Sequence, residues 1–258
     1  MKKYLKIIVF SLLVMFSFYF TDKTALFVQS KDPIMLSIKE YSQESNYDAV
    51  NAVIDDNYII PGMYGRRVNE VKSLMNMKAT GVFNSLFLVN DAVKPDISLN
   101  NNKDKIIKRG NSKKQAISLI LENDETNAVT YLISSKVPAS LLVTKKTYNQ
   151  NPYFEQINND FDNYKAVDNL LNKDKINTNI CVVGRNNKEI CIKNKKYLVE
   201  PSLILNEANI LSVKKNITSG DIVLIKSNAS IDDIALLINY AKSKGLKVIK
   251  LSELISEK

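Results

Sequence analysis

Thr218-Ser219-Gly220-Asp221-Ile222-Val223-Leu224-Ile225-Lys226-Ser227 and, seventeen residues on, Lys244-Gly245-Leu246-Lys247-Val248-Ile249-Lys250-Leu251-Ser252-Glu253-Leu254 decide how this chain folds. Asp221 to Ile225 is a short apolar run of buried-strand length, bounded by a glycine turn. Between the two stretches, Ser230 and Asp233 approximate a capping box, with Asp where Glu or Gln is usual. Ile231, Ile234, Ala235, Ile238 and Ala241 then recur at helical spacing as a buried stripe. Gly245 stops that helix and Lys247-Val248-Ile249 begins another strand.

The same alternation starts upstream. Ala116 to Leu121 is a nearly continuous apolar run, residues 122–126 form a polar turn and helix start, and Ala128, Val129, Tyr131 and Leu132 follow at helical spacing. Ala139 to Val143 is the next buried strand. Asn179 to Val183 and Tyr197 to Leu205 supply further strands, with a short helix or turn over 207–215. Strands alternating with amphipathic helices predict an α/β fold with a parallel sheet, as a barrel or a doubly wound sheet.

The segment before residue 112 reads differently. Residues 22–56 are polar and irregular, weakly helical over 42–53, and are expected to be a stalk or a first layer on the domain. Tyr58-Ile59-Ile60-Pro61-Gly62 and the strand-like run Gly81 to Val89 suggest a small β-rich appendage over 57–110. At the N-terminus, Lys2, Lys3 and Lys6 precede an uncharged, mostly apolar run from Ile7 to Phe20. Fourteen helical residues reach about 21 Å, short of the roughly 30 Å hydrocarbon core unless flanking residues extend them. The expectation is a signal-anchor or signal peptide over 1–21 that leaves the bulk of the chain outside a cell membrane as a single-pass protein; the alternative is a secreted one.

Composition narrows the chemistry. The chain has 258 residues and 45% hydrophobic content, enough for a real core. Its 36 Lys+Arg against 27 Asp+Glu give +9, but the bases are interleaved with acids and no stretch alternates Arg with stacking aromatics, so no nucleic-acid partner is expected. There is no histidine, which excludes Ser-His-Asp and Cys-His catalysis. The seven glycines form neither Gly-x-Gly-x-x-Gly nor a Walker loop. Cys181 and Cys191, ten residues apart, suit a disulfide in an exported domain; the alternative is two reduced, buried thiols. Two thiols without His or a third Cys do not make a structural zinc site.

The stretch from Gly220 to Ser227, the following helix and the Lys-Gly, strand and Leu-Ser-Glu-Leu ending resemble the close of a polysaccharide deacetylase (NodB homology) domain. Lys114 to Leu121 resembles its first strand and Val137 to Val143 its second, so the resemblance covers residues 112–258. It implies an incomplete (β/α) barrel and a metal-assisted hydrolysis of acetyl amide or ester bonds on a glycan. It also implies a set of site positions. Where the family's first strand ends in two Asp, this chain has Glu122 and Asn123. Where the family has two metal-binding histidines four apart, the matching residues are Tyr164 and Asp168. Where a Leu-x-His supplies the general acid, the residue is Lys226. Imidazole is absent from all of them and an anion is lost at Asn123, so the expectation is a degenerate member with no cofactor. It would bind cell-wall glycan or a membrane or cell-wall protein. Two alternatives remain: an active enzyme with Glu122 as base and a metal held by Glu122, Asp124 and Asp168, or a working part in 57–110 with the α/β domain as scaffold.

Overall fold

The computed structural model describes residues 2–122, 126–148, 153–176, 179–184 and 187–258. In chain order the elements are α1 (Lys2–Ser30), α2 (Pro33–Ser45), β1 (Val53–Asp55), β2 (Tyr58–Ile60), β3 (Gly65–Val68), α3 (Glu70–Met77), β4 (Asn90–Val93) and β5 (Ile106–Ile107). There follow β6 (Ala116–Leu121), α4 (Thr126–Ser134), β7 (Ser140–Val143), β8 (Glu155–Asn158), α5 (Tyr164–Lys173), β9 (Ile180–Val182), α6 (Lys188–Lys193) and β10 (Tyr197–Val199). The last are β11 (Leu203–Leu205), α7 (Ile210–Asn216), β12 (Ile222–Ile225), α8 (Ile231–Ser243), β13 (Lys247–Val248) and α9 (Leu251–Ile255). They divide into two compact units: Met1–Ala49 with Gly65–Val93, and Val50–Tyr64 with Lys94–Lys258.

The larger unit is built on two sheets. One runs β11-β12-β6-β7-β8 in parallel, with β13 also paired to β6; the other runs β1-β2-β5-β10-β9. Side chains alternate between the two faces of a strand. Residues Ala116 and Ile120 of β6, Leu142 of β7, Ile157 of β8, Ile180 and Val182 of β9, Val199 of β10 and Ile222 of β12 meet in one shared apolar interior. The other parity, Ile117, Leu119 and Leu121 of β6 with Leu141, Val143 and Val223, packs outward against α4, α5, α7 and α8. Two sheets enclosing one interior, with helices outside and no ladder between β8 and β9 among the described residues, make an incomplete barrel. Leu251, Leu254 and Ile255 of α9 enter the same interior beside the starts of the strands. Leu251 N–H bonds to Ser140 Oγ and Ser252 N–H to the buried Glu155 carboxylate, which close that end.

Local signals explain the element ends. Ser230 Oγ accepts from Asp233 N–H and Asp232 and Asp233 sit in the first turn of α8, where the helix dipole favours anions. The stripe of α8 is Ile234, Leu237, Ile238 and Ala241; Ile231, expected to be buried, is 38% exposed because it occupies the first turn. Gly220 adopts φ +92, and a Cβ there would stand 2.4 Å from Gly110 O. Only glycine permits that approach, in which Gly110 N–H bonds to Gly220 O and Gly220 N–H to Ala116 O.

The N-terminal half corrects three expectations. The irregular stalk over 22–56 is instead the end of α1, then α2, then β1. Asp32 caps α2 through Ile34 N–H and Pro33 stands at its start, a start signal upstream of the helix read over 42–53. The appendage over 57–110 is not one body: β2 and β5 belong to the barrel sheet, while β3, α3 and β4 form the smaller unit with α2. There β3 and β4 pair antiparallel, and Met35, Ile38, Val68, Leu74 and Met77 make a core of their own. The strand-like run 81–89 is a turn and a 3₁₀ helix over Ser85–Phe87, because Asn84 caps Leu86 N–H locally. In α1 the large residues from Phe10 to Phe20 are exposed, and among the described residues no helix is long and apolar enough to cross a membrane.

Cys181 of β9 and Cys191 of α6 are fully buried and joined in a disulfide, S–S 2.04 Å. It ties a strand to the helix that covers it, within a cluster containing Ile106, Tyr164, Val183 and Leu198. Closing a loop of this length stabilises a fold by about 2 to 3 kcal/mol. Replacing both cysteines by alanine is expected to lower unfolding free energy by about that amount, read as a lower midpoint without loss of the cooperative transition in denaturant.

Candidate functional site

Interior parity carries past the strand ends. Ala116, Ser118 and Ile120 face inward, so Glu122 emerges at the C-terminal mouth; Ile222 and Leu224 do the same for Lys226. The parallel register Leu121↔Ile225 sets these residues side by side, and Glu122 N–H bonds to Ile225 O at 3.0 Å. Lys226 Nζ donates to Glu122 Oε1 at 2.5 Å, and Ser227 N–H donates to Oε2 at 3.3 Å. The two side chains are 37% and 33% exposed, so the pair meets solvent and is worth under about 1 kcal/mol to the fold. Asn123 and Asp124 lie outside the described residues.

Continuing across the same mouth, Thr144 follows β7 and Asn159 follows β8, level with one another through Asn159 N–H to Val143 O. They line a cleft of about 920 Å³ with Lys145, Lys146, Asp160, Phe161, Asp162 and Asn163. Asp160 organises it. One carboxylate oxygen accepts from Lys145 N–H and the other from Asn163 N–H, each at 2.9 Å. Those backbone bonds, Lys145 first, hold the Asp160 carboxyl below its ordinary value of 3.8.

Tyr164 and Asp168 are elsewhere. They lie on α5, where Tyr164 is 5% exposed and stacks on Phe161 within the cluster that contains the disulfide. Asp168 pairs with Lys196 at 2.7 Å, and burial followed by the Asp168 charge drives the Tyr164 hydroxyl far above its usual range. Tyr164 Oη and Asp168 Oδ1 are buried without a hydrogen-bond partner among the described residues. The structure therefore brings Glu122 and Lys226 together and sets Tyr164 and Asp168 apart, in the layer between α5 and the sheet. The four-residue spacing is equally met by Asn159 and Asn163, which do line the mouth. The missed signal was β8 itself: Phe154 to Asn158 is buried but polar at Glu155, Gln156 and Asn158, so it does not read as a strand.

A divalent ion of the kind the resemblance implies is poorly served here. Glu122 already holds an ammonium, Asn159 and Asn163 are neutral amides, and no imidazole exists in the chain. Glu122 and Asp168, offered as a carboxylate set, each serve a different lysine. Among the described residues no group of three His, Cys, Asp or Glu side chains is placed to hold a metal. The mouth offers the Glu122–Lys226 pair, the charged Lys145, Lys146, Asp160 and Asp162, two amides, a hydroxyl and one aromatic ring, groups that can hydrogen-bond a polar ligand.

No family model matches the sequence, and no curated protein does. Among solved structures, a CE4 family pseudoenzyme from Bacillus anthracis is similar with a TM-score of 0.61 at 19% identity, covering 88% of this chain and 96% of that one. A mutant of that pseudoenzyme with restored enzymatic activity gives 0.62 at 18% identity, covering 87% and 98%. Both matches extend beyond residues 112–258 into the N-terminal half. The fold is thus the polysaccharide deacetylase-like fold.

Two outcomes are expected from the geometry. The Asp160 contribution is present above the unfolded carboxylate pKa and lost as pH falls through the lower folded value; the amide signals of Lys145 and Asn163 should therefore move together, with a midpoint below 3.8. Asn159→His with Asn163→His, on a background of Lys226→His, Glu122→Asp and Asn123→Asp, should give Zn²⁺ binding by calorimetry, whereas histidines placed at 164 and 168 on that background should not.

Proposed function

We propose that this chain is a non-catalytic, deacetylase-type protein that binds glycan, of the kind found in cell walls, in the C-terminal mouth of its barrel. The observation that carries the reading is the Glu122–Lys226 pair. A carboxylate meant to hold a metal or take a proton from water must be free to do so, and here a lysine ammonium and a backbone N–H occupy both its oxygens. The fold supports the same reading, since it is that of a pseudoenzyme whose activity returns on mutation. The cleft beside the pair presents Asn159, Asn163, Thr144 and Phe161, donors, acceptors and a ring that match the hydroxyls and C–H faces of a sugar.

The basic start and apolar run of α1 are read as a membrane tether, with the rest of the chain outside the membrane. A secreted form with this segment removed is the other outcome of fractionating cells and sequencing the mature N-terminus. A membrane or cell-wall protein is the alternative occupant of the mouth.

Titrating the full chain with chitooligosaccharides or peptidoglycan fragments should shift the Lys145, Asn159 and Lys226 signals saturably, with no acetate released in Zn²⁺, Mn²⁺ or Co²⁺. Removing a charge-assisted contact by Lys226→Met should weaken binding by about tenfold while leaving stability within about 1 kcal/mol. Metal-dependent acetate release, abolished by Glu122→Gln, would overturn the reading.

A further inference from the structure

The opposite end of the barrel carries a second cavity that no part of this reading uses. It measures about 410 Å³, and its lining includes Tyr64, Leu99, Asn100, Tyr197, Ile255 and Glu257. Tyr197 begins β10 and Ile255 ends α9, so it opens at the N-terminal ends of the strands.

Its distinguishing group is a buried carboxylate. Glu257 is 8% exposed; its Oε1 accepts from Gly62 N–H at 3.1 Å and Leu99 N–H at 2.8 Å. Its Oε2 accepts no hydrogen bond, and Glu257 forms no ion pair, among the described residues. Because Oε2 is not one of the buried unpartnered atoms, it is reached by solvent, and with Oε1 held by two backbone N–H groups it is the carboxylate oxygen left to a ligand donor. Tyr197 donates its hydroxyl to Asn100 Oδ1, which fixes the ring and leaves the Asn100 amide nitrogen and the phenol oxygen lone pairs to the cavity. Burial, then the charge of Glu257, then Tyr64 raise the Tyr197 pKa, so the phenol stays protonated.

Charge selects among ligands. Lys114, whose ammonium bonds to the Glu253 and Ser256 carbonyls, interacts with the Glu257 charge, and Lys258 lines the cavity, so the carboxylate already has cations near it. A cationic ligand gains little there, and an anion would meet Glu257. A neutral ring with several hydroxyls fits: its O–H groups donate to Glu257 Oε2, its oxygens accept from the Asn100 amide, and its C–H face packs on Tyr64, Leu99 and Ile255. We infer that this cavity is a second binding site, separate from the mouth, that takes a single neutral saccharide unit through Glu257, Tyr197 and Asn100.

The test uses the full chain and three monosaccharides: glucose, N-acetylglucosamine and the cationic glucosamine. Either neutral sugar should shift the ring signals of Tyr64 and Tyr197 saturably, more tightly than glucosamine. Glu257→Gln keeps an acceptor for Gly62 and Leu99 but loses the anionic oxygen, and should weaken binding by about tenfold. Tyr197→Phe leaves the backbone hydrogen bonds intact, frees Asn100 and should weaken it several-fold, which keeps the idea testable if the Glu257 variant folds poorly. The Tyr64 and Tyr197 ring signals report this cavity and the Lys145 and Asn159 signals report the mouth, so failure at the mouth and failure here are read separately. Absence of saturable shifts with both neutral sugars, unaltered affinity in Tyr197→Phe, or preference for glucosamine would overturn the assignment.

Discussion

The parallel register between β6 and β12 is the constraint on which the larger unit depends. β6 is buried on both faces, with Ile117, Leu119 and Leu121 against the helices and Ala116, Ser118 and Ile120 in the barrel interior. A slip of one residue would exchange those two sets and turn Glu122 out of the mouth. The register is pinned below the strands by backbone. Gly220 and Gly110 approach so closely that neither position has room for a side chain: a Cβ on Gly220 would meet Gly110 O at 2.4 Å, and one on Gly110 would meet Leu254 at 2.6 Å. With that contact made at the closed end, Ile222 to Ile225 can only fall opposite Ser118 to Leu121.

The chemistry of the mouth follows from this geometry. Residues that emerge from paired, inward-facing positions become neighbours, so a carboxylate after β6 and whatever follows β12 must interact. In this chain that residue is a lysine, and the result is a mutually neutralised pair in place of an acid and base aimed at substrate. A second lysine–carboxylate pair, Lys196 with Asp168, is more deeply buried and ties the segment after α6 to α5. The exposed pair contributes little to stability and shapes the electrostatics of a binding surface; the buried one belongs to packing.

Much of the C-terminal half is legible in the residues. Apolar runs of strand length, the Ser230 cap and Gly245 define β6, β7, β12 and α8, because a strand buried on both faces has few ways to be written. The convergence of Glu122 and Lys226 also follows once the two strands are taken as neighbours. The rest depended on information that pattern does not contain. β8 is polar where it is buried, with Glu155 satisfied by Ser140 and Ser252 and Asn158 by the Tyr164 carbonyl, so it does not read as a strand, and the match to the family's four-residue spacing fell on Tyr164 and Asp168 of α5. The assignment of β2 and β5 to the barrel sheet, and of β3 and β4 to another unit, rests on pairings such as Tyr58 with Ile106 and Gly65 with Val93 that no local signal encodes.

By itself the sequence determined the α/β class, the buried strands and the lack of imidazole, since each is a matter of residue type and local spacing. Tertiary structure alone decided which polar groups meet. It set the Lys226 ammonium on the Glu122 carboxylate, left Tyr164 and Asp168 in an outer layer and held Glu257 against the Gly62 and Leu99 amides. Hydrogen bonds and ion pairs act over a few ångströms, and only long-range strand register brings distant residues that close.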